Sequence, residues 1–287
     1  MIVSRLLRTA RDGTLPDAMR WRWNRLHASA DSLAQLARGT LIELNGNRVE
    51  IDGCRFSLDS PCISRQAKGG FTAQSYEAAE RRAIATFLDP ALPVVEFGAA
   101  VGVVSCIVNR RLAEPTRHVV VEANPQLVPL LETNRGLNGC SFEILHRMVG
   151  YGTAEAVFFA NSNDFLASTA VSVNDSPIWR DIRLQTVSLG EIVARRGFEV
   201  LTLVCDIEGG EADVIEREAD LLSERVAWLL MELHPWSLGR DRANGLLARL
   251  AELGFDWRAG PRQCDGQAAI TTVLSNRRLV DPTAAAA

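Results

Sequence analysis

The sequence lacks the features that mark membrane, exported and disulfide-rich proteins. No apolar run approaches the roughly 18 residues of a membrane-spanning helix, and the N-terminus has no apolar core of a secretory signal. The six cysteines lie far apart without a C-x-x-C pair, so we expect reduced thiols within the core. Together these absences predict a cytoplasmic protein with no transmembrane segment.

An excess of basic charge is also missing. The 287 residues carry a formal net charge of -4, so the chain as a whole has no attraction for polyphosphate, which argues against nucleic acid as a partner. A small-molecule or glycan partner is favoured instead. A hydrophobic content of 47% allows one large domain with a small appendage.

The first 75 residues differ from the rest of the chain. Residues 1–40 hold seven arginines and the pair Trp21 and Trp23, and their apolar spacing predicts a helix. This helix either packs its tryptophans on the main domain, which we favour, or serves as a docking element for a membrane surface, a partner or a second copy. Residues 41–75 alternate between apolar and polar, with Asn45-Gly46 and Asp52-Gly53 as turns, and predict a small β-meander.

Residues 76–278 form the predicted main domain, and residues 279–287 a disordered tail. Helical patterns alternate here with short apolar runs, which indicates a doubly wound, mostly parallel α/β sheet buried on both faces. Two further runs close the domain without a helix between them and predict an antiparallel C-terminal hairpin, giving seven strands. The runs are PVVEFGAA, HVVVEAN, FEILHRM, LTLVCDI, AWLLMEL, FDWRAG and AAITTVLSN.

The loop after the first run predicts a ligand site. Ligands of doubly wound sheets bind outside the carboxyl ends of the strands, and Gly98 and Gly102 let the backbone approach a ligand closely. Ala100 and Val103 replace the second and third glycines of the dinucleotide fingerprint G-x-G-x-x-G, which argues against a pyrophosphate. Glu96 would suit a cationic amine. Glu122, at the end of the second run, can accept the hydroxyls of a ribose or cap the following helix.

Acidic residues and a histidine follow two later runs. Asp206 and Glu208 are two residues apart, so they project to the same side if the strand continues. His234 follows the next run and is the residue type that accepts a proton near neutral pH, although a structural cap is as plausible. Glu211 can be explained by helix capping alone.

These segments give the chain a resemblance to the FkbM family of S-adenosylmethionine-dependent methyltransferases, over roughly residues 40 to 275. SYEAAE, VVEFGAAVGVVS, VVVEANPQLVPLLETN and LTLVCDIEGGEADVI with MELHP carry it. The resemblance implies a class I methyltransferase-like fold, S-adenosylmethionine as cofactor and O-methylation of a sugar, polyketide or similar small molecule. The predicted cofactor contacts are Glu77, Glu96, Gly98, Ala99, Gly102, Glu122, Ala123 and Asn124. The predicted catalytic residues are His234, Asp206 and Glu208.

The chain departs from the family pattern at four positions. Ala100, Ala123, Val204 and Gly190 stand where the family commonly has Asn, Pro, Lys and Asp. These departures motivate an alternative, a non-catalytic S-adenosylmethionine-binding regulatory or scaffold protein. A nicotinamide-dependent oxidoreductase is disfavoured by the failed glycine spacing. We expect no metal, with a divalent cation on Asp206 and Glu208 as the less favoured alternative.

A long polar stretch between the third and fourth main runs predicts a binding loop or lid. It reads NSNDFLASTAVSVNDSPIW, and Asn163, Ser168 and Trp179 are its predicted acceptor contacts. A solvated loop without such contacts is the alternative.

Overall fold

The computed structural model describes residues 17–161 and 179–280 of the chain. The N-terminal part consists of a long helix, a two-stranded antiparallel hairpin and one short helical turn. Helix α1 spans Asp17–Leu44, strands β1 and β2 span Arg48–Ile51 and Cys54–Ser57, and α2 spans Arg65–Lys68.

The helix continues four residues past the boundary predicted at residue 40. Leu41 to Leu44 are therefore helical and not part of a β-meander, which is reduced to the hairpin. The helix ends where Gly46 adopts a φ of 70°, a value that glycine adopts without strain. Four residues are too few to distinguish a strand from the last turn of a helix by their pattern.

The remaining elements, in chain order, alternate between helices and strands. They are α3 (Ala78–Phe87), β3 (Val94–Phe97), α4 (Val103–Asn109), β4 (His118–Glu122), α5 (Val128–Leu137), β5 (Glu143–His146), β6 (Met148–Val149), β7 (Glu155–Asn161), β8 (Trp179–Val187), α6 (Leu189–Arg196), β9 (Leu201–Cys205), α7 (Glu211–Arg217), α8 (Ala219–Arg225), β10 (Val226–Leu233), α9 (Pro235–Leu238), α10 (Arg240–Glu252), β11 (Phe255–Ala259), β12 (Ile270–Asn276) and α11 (Arg277–Val280).

Seven strands form the central sheet in the order β11-β12-β10-β9-β3-β4-β5. Strands β10, β9, β3, β4 and β5 pair in parallel, whereas β12 runs antiparallel to both β10 and β11. The prediction of a doubly wound, mostly parallel seven-stranded sheet with an antiparallel C-terminal pair is confirmed. The carboxyl ends of β3, β4 and β9 lie side by side at the middle of this sheet.

The two faces of the sheet pack against separate hydrophobic cores. Val94 belongs to one core with α4 and the N-terminal hairpin, and the next residue, Val95, belongs to the other. This is the period of two that a strand buried on both faces requires. The six cysteines are free, and no helix in the part of the chain that the structure describes is long and apolar enough to cross a bilayer.

A second, three-stranded sheet was not predicted. Strand β8 pairs in parallel with β6 and antiparallel with β7, and Phe158 and Leu184 are buried in its small core. Ile182 and Leu184 alternate with Asp181 and Arg183, so β8 has the pattern of a half-exposed strand. The stretch between β7 and β8, residues 162–178, lies outside the described residues.

Candidate functional site

A cleft opens at the carboxyl ends of β3, β4 and β9, where a doubly wound sheet places its ligand. Its empty volume is about 790 Å³ when the open solvent at its mouth is included. Its lining combines four acidic side chains and one arginine with an apolar wall. The lining residues are Glu77, Gly98, Ala100, Val121, Glu122, Ala123, Asn124, Leu127, Arg147, Met148, Val149, Phe158, Asp206, Ile207, Glu208 and Gly210.

Gly98 brings the backbone of two loops together at the floor of the cleft. A Cβ atom at this position would lie 1.7 Å from the carbonyl oxygen of Asp206, and the φ of Gly98 is +83°. A side chain is therefore excluded both by contact and by conformation. The close approach predicted for this loop is present, although it is made first to the chain itself.

Glu122 shapes the same loop from the end of β4. Its Oε2 accepts the backbone N–H groups of Ala99 and Ala100 at 3.1 and 2.8 Å, and its Oε1 accepts that of Asn124 at 2.6 Å. Burial raises the pKa of Glu122 to about 7, although these backbone donors oppose the shift. The carboxylate thus lines the cleft and also fixes the loop beside it.

Three of the predicted cofactor residues do not line the cleft. Glu96 is fully buried beneath the loop, where it accepts from Ser105 at 2.6 Å and contacts His118 Nε2 at 3.1 Å. Gly102 begins α4 with a φ of +84° and packs on Leu131. Ala99 is buried and contributes its amide to Glu122. These residues support the loop, whereas Glu77, Gly98, Glu122, Ala123 and Asn124 line the cleft.

Strained backbone is concentrated around this cleft. Five non-glycine residues in the described part of the chain have positive φ, and Glu77, Ala100 and Glu208 are three of them, with φ of 46°, 47° and 54°. All three line the cleft. Residues other than glycine adopt this conformation at an energetic cost, and such strain clusters at functional sites.

The acidic wall is formed by Asp206 and Glu208, which follow β9. Both carboxylates lie 3.5 Å from Nε2 of His234, which follows β10. The structure therefore brings together the three residues predicted to be catalytic. Only the two carboxylates line the cleft, since His234 is buried behind them.

Glu211 holds His234 from the opposite side. Its Oε1 lies 2.9 Å from Nδ1 of the histidine, and the carboxylate also accepts the backbone N–H groups of Ile207 and Gly209. Burial lowers the pKa of His234, but the hydrogen bond to Glu211 and the charges of Glu211, Asp206 and Glu208 outweigh it and raise the pKa to about 10.

This environment is unsuited to the general-base role predicted for His234. A histidine with a pKa of about 10 already carries its proton at neutral pH and cannot accept another. Its buried ring instead supplies the positive charge that three carboxylates require. From the sequence, helix capping alone was sufficient to explain Glu211 in the first turn of α7. The prediction therefore did not include the effect of Glu211 on the pKa of His234.

Half-buried carboxyl groups beside the cleft favour their protonated forms. Burial raises the pKa of Asp206 to about 7 and that of Glu232, on β10, to about 8, with the neighbouring acids adding to the shift. Burial and the charges of Asp206 and Glu80 hold the pKa of Glu77 well above its usual range. Oε2 of Glu77 is a buried acceptor without a hydrogen-bond partner among the described residues. The cluster is thus short of positive charge.

Asp206, Glu232 and His234 also place potential metal-ligand atoms within 4.8 Å of one another. This set differs from the pair Asp206 and Glu208 considered from the sequence, because Glu232 projects toward the cluster from the neighbouring strand. In its protonated form His234 has no lone pair for a metal. That the protein uses no metal stays a prediction.

The predicted acceptor contacts fall at the edge of what the structure describes. Asn163 and Ser168 lie outside the described residues, and Trp179 begins β8. The apolar wall was missed by the sequence reasoning, because it comes from β6 and β7 and the residues beside them. Met148, Val149 and Phe158 are its members from this region, and Arg147 lines the cleft beside them.

Comparisons with known proteins give structural likeness only. No protein-family profile matches the sequence, and none of the curated proteins does. The chain is similar to a protein in the NADB-Rossmann superfamily from Streptococcus agalactiae, with 12% identity, a TM-score of 0.40 and coverage of 69% of this chain and 67% of that one.

Two further solved structures have a similar degree of likeness. M. jannaschii TYW2 in complex with AdoMet has 11% identity and a TM-score of 0.40, with 79% of this chain and 83% of that one covered. Trm5b from Pyrococcus abyssi has 13% identity and a TM-score of 0.44, with 80% and 56% covered. Likeness at this level assigns no activity to the chain.

Proposed function

We propose that this protein binds S-adenosylmethionine in the cleft and transfers its methyl group to a hydroxyl group of a small molecule or glycan. One observation carries the proposal: the cleft at the carboxyl ends of β3, β4 and β9 is lined by four carboxylates, one arginine and an apolar wall. S-adenosylmethionine has a sulfonium, an ammonium group and a flat apolar adenine, and therefore complements such a lining.

The acidic groups supply the part of the fit that distinguishes this cofactor from a dinucleotide. A pyrophosphate finds no positive counter-charge on Glu77, Asp206 and Glu208, whereas a bound cation favours their ionised forms and pairs with them. Glu77 Oε2, which has no hydrogen-bond partner among the described residues, is suited to the ammonium group. Met148 and Phe158 are suited to the adenine, and Glu122 and Asn124 to the ribose.

Glu122 is a less direct ligand than the sequence suggested. It already accepts three backbone N–H groups, so any contact to a ribose would use oxygens that also shape the Ala99–Ala100 loop. Replacing Glu122 would change the loop and the cofactor contact together. Glu77 is the better residue to test, because its orphan oxygen is not part of such a network.

The bound cofactor would supply an electrophilic methyl group on a sulfonium. Asp206 lines the cleft and is, in this proposal, the group that accepts the proton of the acceptor hydroxyl as the oxygen–methyl bond forms and the methyl–sulfur bond breaks. Its pKa of about 7 suits this task near neutral pH. His234, as a buried cation beside it, is a positioning residue that orients the carboxylates. Positioning of the acceptor in line with the methyl group would supply the rest of the catalysis.

A non-catalytic cofactor-binding protein is the second candidate. Val204 stands where the resemblance implies a lysine, and in the structure it is buried on β9, where it cannot take part in polar chemistry. Formation of S-adenosylhomocysteine in the presence of any hydroxylated acceptor would exclude this candidate.

Calorimetric titration tests the proposal directly. The purified chain should bind S-adenosylmethionine and S-adenosylhomocysteine but not NAD, and Glu77→Gln should weaken binding of both ligands. Glu50→Gln, an exposed change on β1 away from the cleft, is the matched control and should leave affinity unchanged. A folded protein that binds neither ligand would refute the methyltransferase proposal.

A further inference from the structure

Over residues 31–44, helix α1 has one face that is packed and one that is exposed. Its packed face lies on α2. A Cβ atom at Gly39 would lie 1.8 Å from the carbonyl oxygen of Arg65, and one at Gly69 would lie 1.8 Å from that of Gln35. Glu43 reinforces this contact through ion pairs with Arg65 at 2.7 Å and Lys68 at 3.2 Å. The orientation of the helix on the domain is thereby fixed over its last turns.

The opposite face exposes leucines to solvent. Leu33, Leu36, Leu41 and Leu44 are 67%, 38%, 66% and 80% exposed. Seven large hydrophobic residues are exposed within residues 31–160 and 180–280, and these leucines are four of them. A single exposed leucine needs no explanation, but four within twelve residues on one helix face form a contiguous patch that favours interaction.

Two of these leucines, Leu33 and Leu44, belong to a longer repeat in the sequence. Counting back from Leu44 in alternating steps of four and three reaches only apolar residues and one threonine. These positions are Thr40, Ala37, Leu33, Ala30, Leu26, Trp23 and Met19. The repeat continues without interruption over almost four heptads of α1, which spans Asp17–Leu44. A period of 3.5 residues is the signature of a seam between two helices, because it keeps one stripe facing a partner helix.

We propose that α1 pairs with the same helix of a second copy of this chain, as an antiparallel two-helix coiled coil along this seam. The charges of the helix select this occupant. Its first half contains Arg20, Arg22 and Arg25 with one aspartate, whereas its second half contains Arg38 with Asp31 and Glu43. Antiparallel pairing places the basic half against the acidic half, but parallel pairing would place arginines against arginines.

An anionic membrane fits the exposed leucines less well. Around Leu33 to Leu44 the charged residues are Asp31, Arg38 and Glu43, and a phosphate surface would repel the acidic pair. The small, exposed residue Ala37 at the seam also permits two helices to approach closely, which binding to a lipid surface does not require.

Sedimentation velocity of the full chain tests the pairing. The protein should be dimeric, and Leu33→Glu combined with Leu44→Glu should make it monomeric. Ala34→Glu changes an exposed residue of α1 that does not belong to the seam. It is the matched control and should leave the dimer intact. Cooperative thermal unfolding, followed by circular dichroism, should be retained by the monomeric variant, which shows that it is folded. The self-association requires no cofactor, so its failure is separate from that of the proposed function.

Cysteine crosslinking tests the direction. Mixed Met19→Cys and Leu44→Cys chains should form a disulfide-linked dimer, whereas Leu44→Cys alone should not exceed the background of the unsubstituted chain. Efficient crosslinking of Leu44→Cys to itself would overturn the antiparallel arrangement. A monomeric wild-type chain at every concentration, or one that binds vesicles of anionic lipid as a monomer, would overturn the pairing itself.

Discussion

The Nδ1 atom of His234 lies 2.9 Å from Oε1 of Glu211, and the same carboxylate accepts the backbone N–H groups of Ile207 at 3.0 Å and Gly209 at 2.9 Å. Glu211 is fully buried. One side chain in the first turn of α7 therefore joins the end of β10 to the loop that follows β9. That loop carries Asp206 and Glu208, so the acidic wall of the cleft depends on Glu211 for its shape.

Glu211→Gln should destabilise the protein and weaken cofactor binding. The amide keeps the size of the side chain but replaces one acceptor oxygen by a donor, which leaves a buried backbone N–H without an acceptor and a buried His234 without its main counter-charge. A loss of about 1–3 kcal/mol in the free energy of unfolding is expected, measured by urea denaturation. Glu216→Gln on the same helix is the control. Its exposed ion pair with Arg242 contributes little, so equal losses in both variants would contradict this role for Glu211.

The sequence was sufficient to predict the central sheet but not the environment of the site. Near-continuous apolar runs such as LTLVC define a strand buried on both faces, and every such run became a strand. The positions of Gly98, Glu122 and Asp206 at the cleft followed from strand order alone. The pKa of His234 did not, because it depends on three carboxylates that meet the histidine only after β9, α7 and β10 have packed together. The apolar wall from β6 and β7 was missed for a similar reason, since these strands belong to a separate small sheet.

Gly98→Ala should disrupt the floor of the cleft. The new methyl group would lie 1.7 Å from the carbonyl oxygen of Asp206, and a φ of +83° is unfavourable for alanine. We expect lost affinity for S-adenosylmethionine and a melting temperature lower than that of the wild type. Gly136→Ala makes the same chemical change within α5, where nothing lies within 4 Å of the added Cβ. That control should be stabilised by about 0.5–1 kcal/mol, so parallel behaviour of the two variants would disprove the close approach at Gly98.

The stability of the protein should fall as pH rises from about 5 to 9. Glu122, Asp206 and Glu232 have pKa values of about 7, 7 and 8 in the native state, above the roughly 4 of the unfolded chain. The native state therefore binds more protons in this range, and the free energy of unfolding decreases with pH. His234 acts in the same direction, because its stabilisation is complete below the unfolded pKa of about 6.5 and is lost toward about 10.

Thermal unfolding across this pH range measures the effect. Glu232→Gln removes one of the shifted carboxyl groups while keeping its volume, so the variant should lose less stability than the wild type between pH 6 and 9. The two chains should differ least at the acidic end, where Glu232 is protonated. A melting temperature that rises steadily with pH in the wild type would contradict the inferred protonation of the cluster.

Cofactor affinity should rise with pH, and more for S-adenosylmethionine than for S-adenosylhomocysteine. The two ligands differ by the methyl group and the positive charge on sulfur, so only the first places a sulfonium near Asp206 and Glu208. Ionisation of Asp206 and Glu122, both with pKa values of about 7, strengthens the attraction for this charge between pH 6 and 8.

Calorimetry at pH 6 and pH 8, in buffers of different ionisation enthalpy, measures both the affinity and the protons released. S-adenosylmethionine should release more protons on binding than S-adenosylhomocysteine. Equal release by the two ligands would place the sulfur away from the acidic wall, and tighter binding of S-adenosylmethionine at pH 6 would reverse the inferred charge of the cleft.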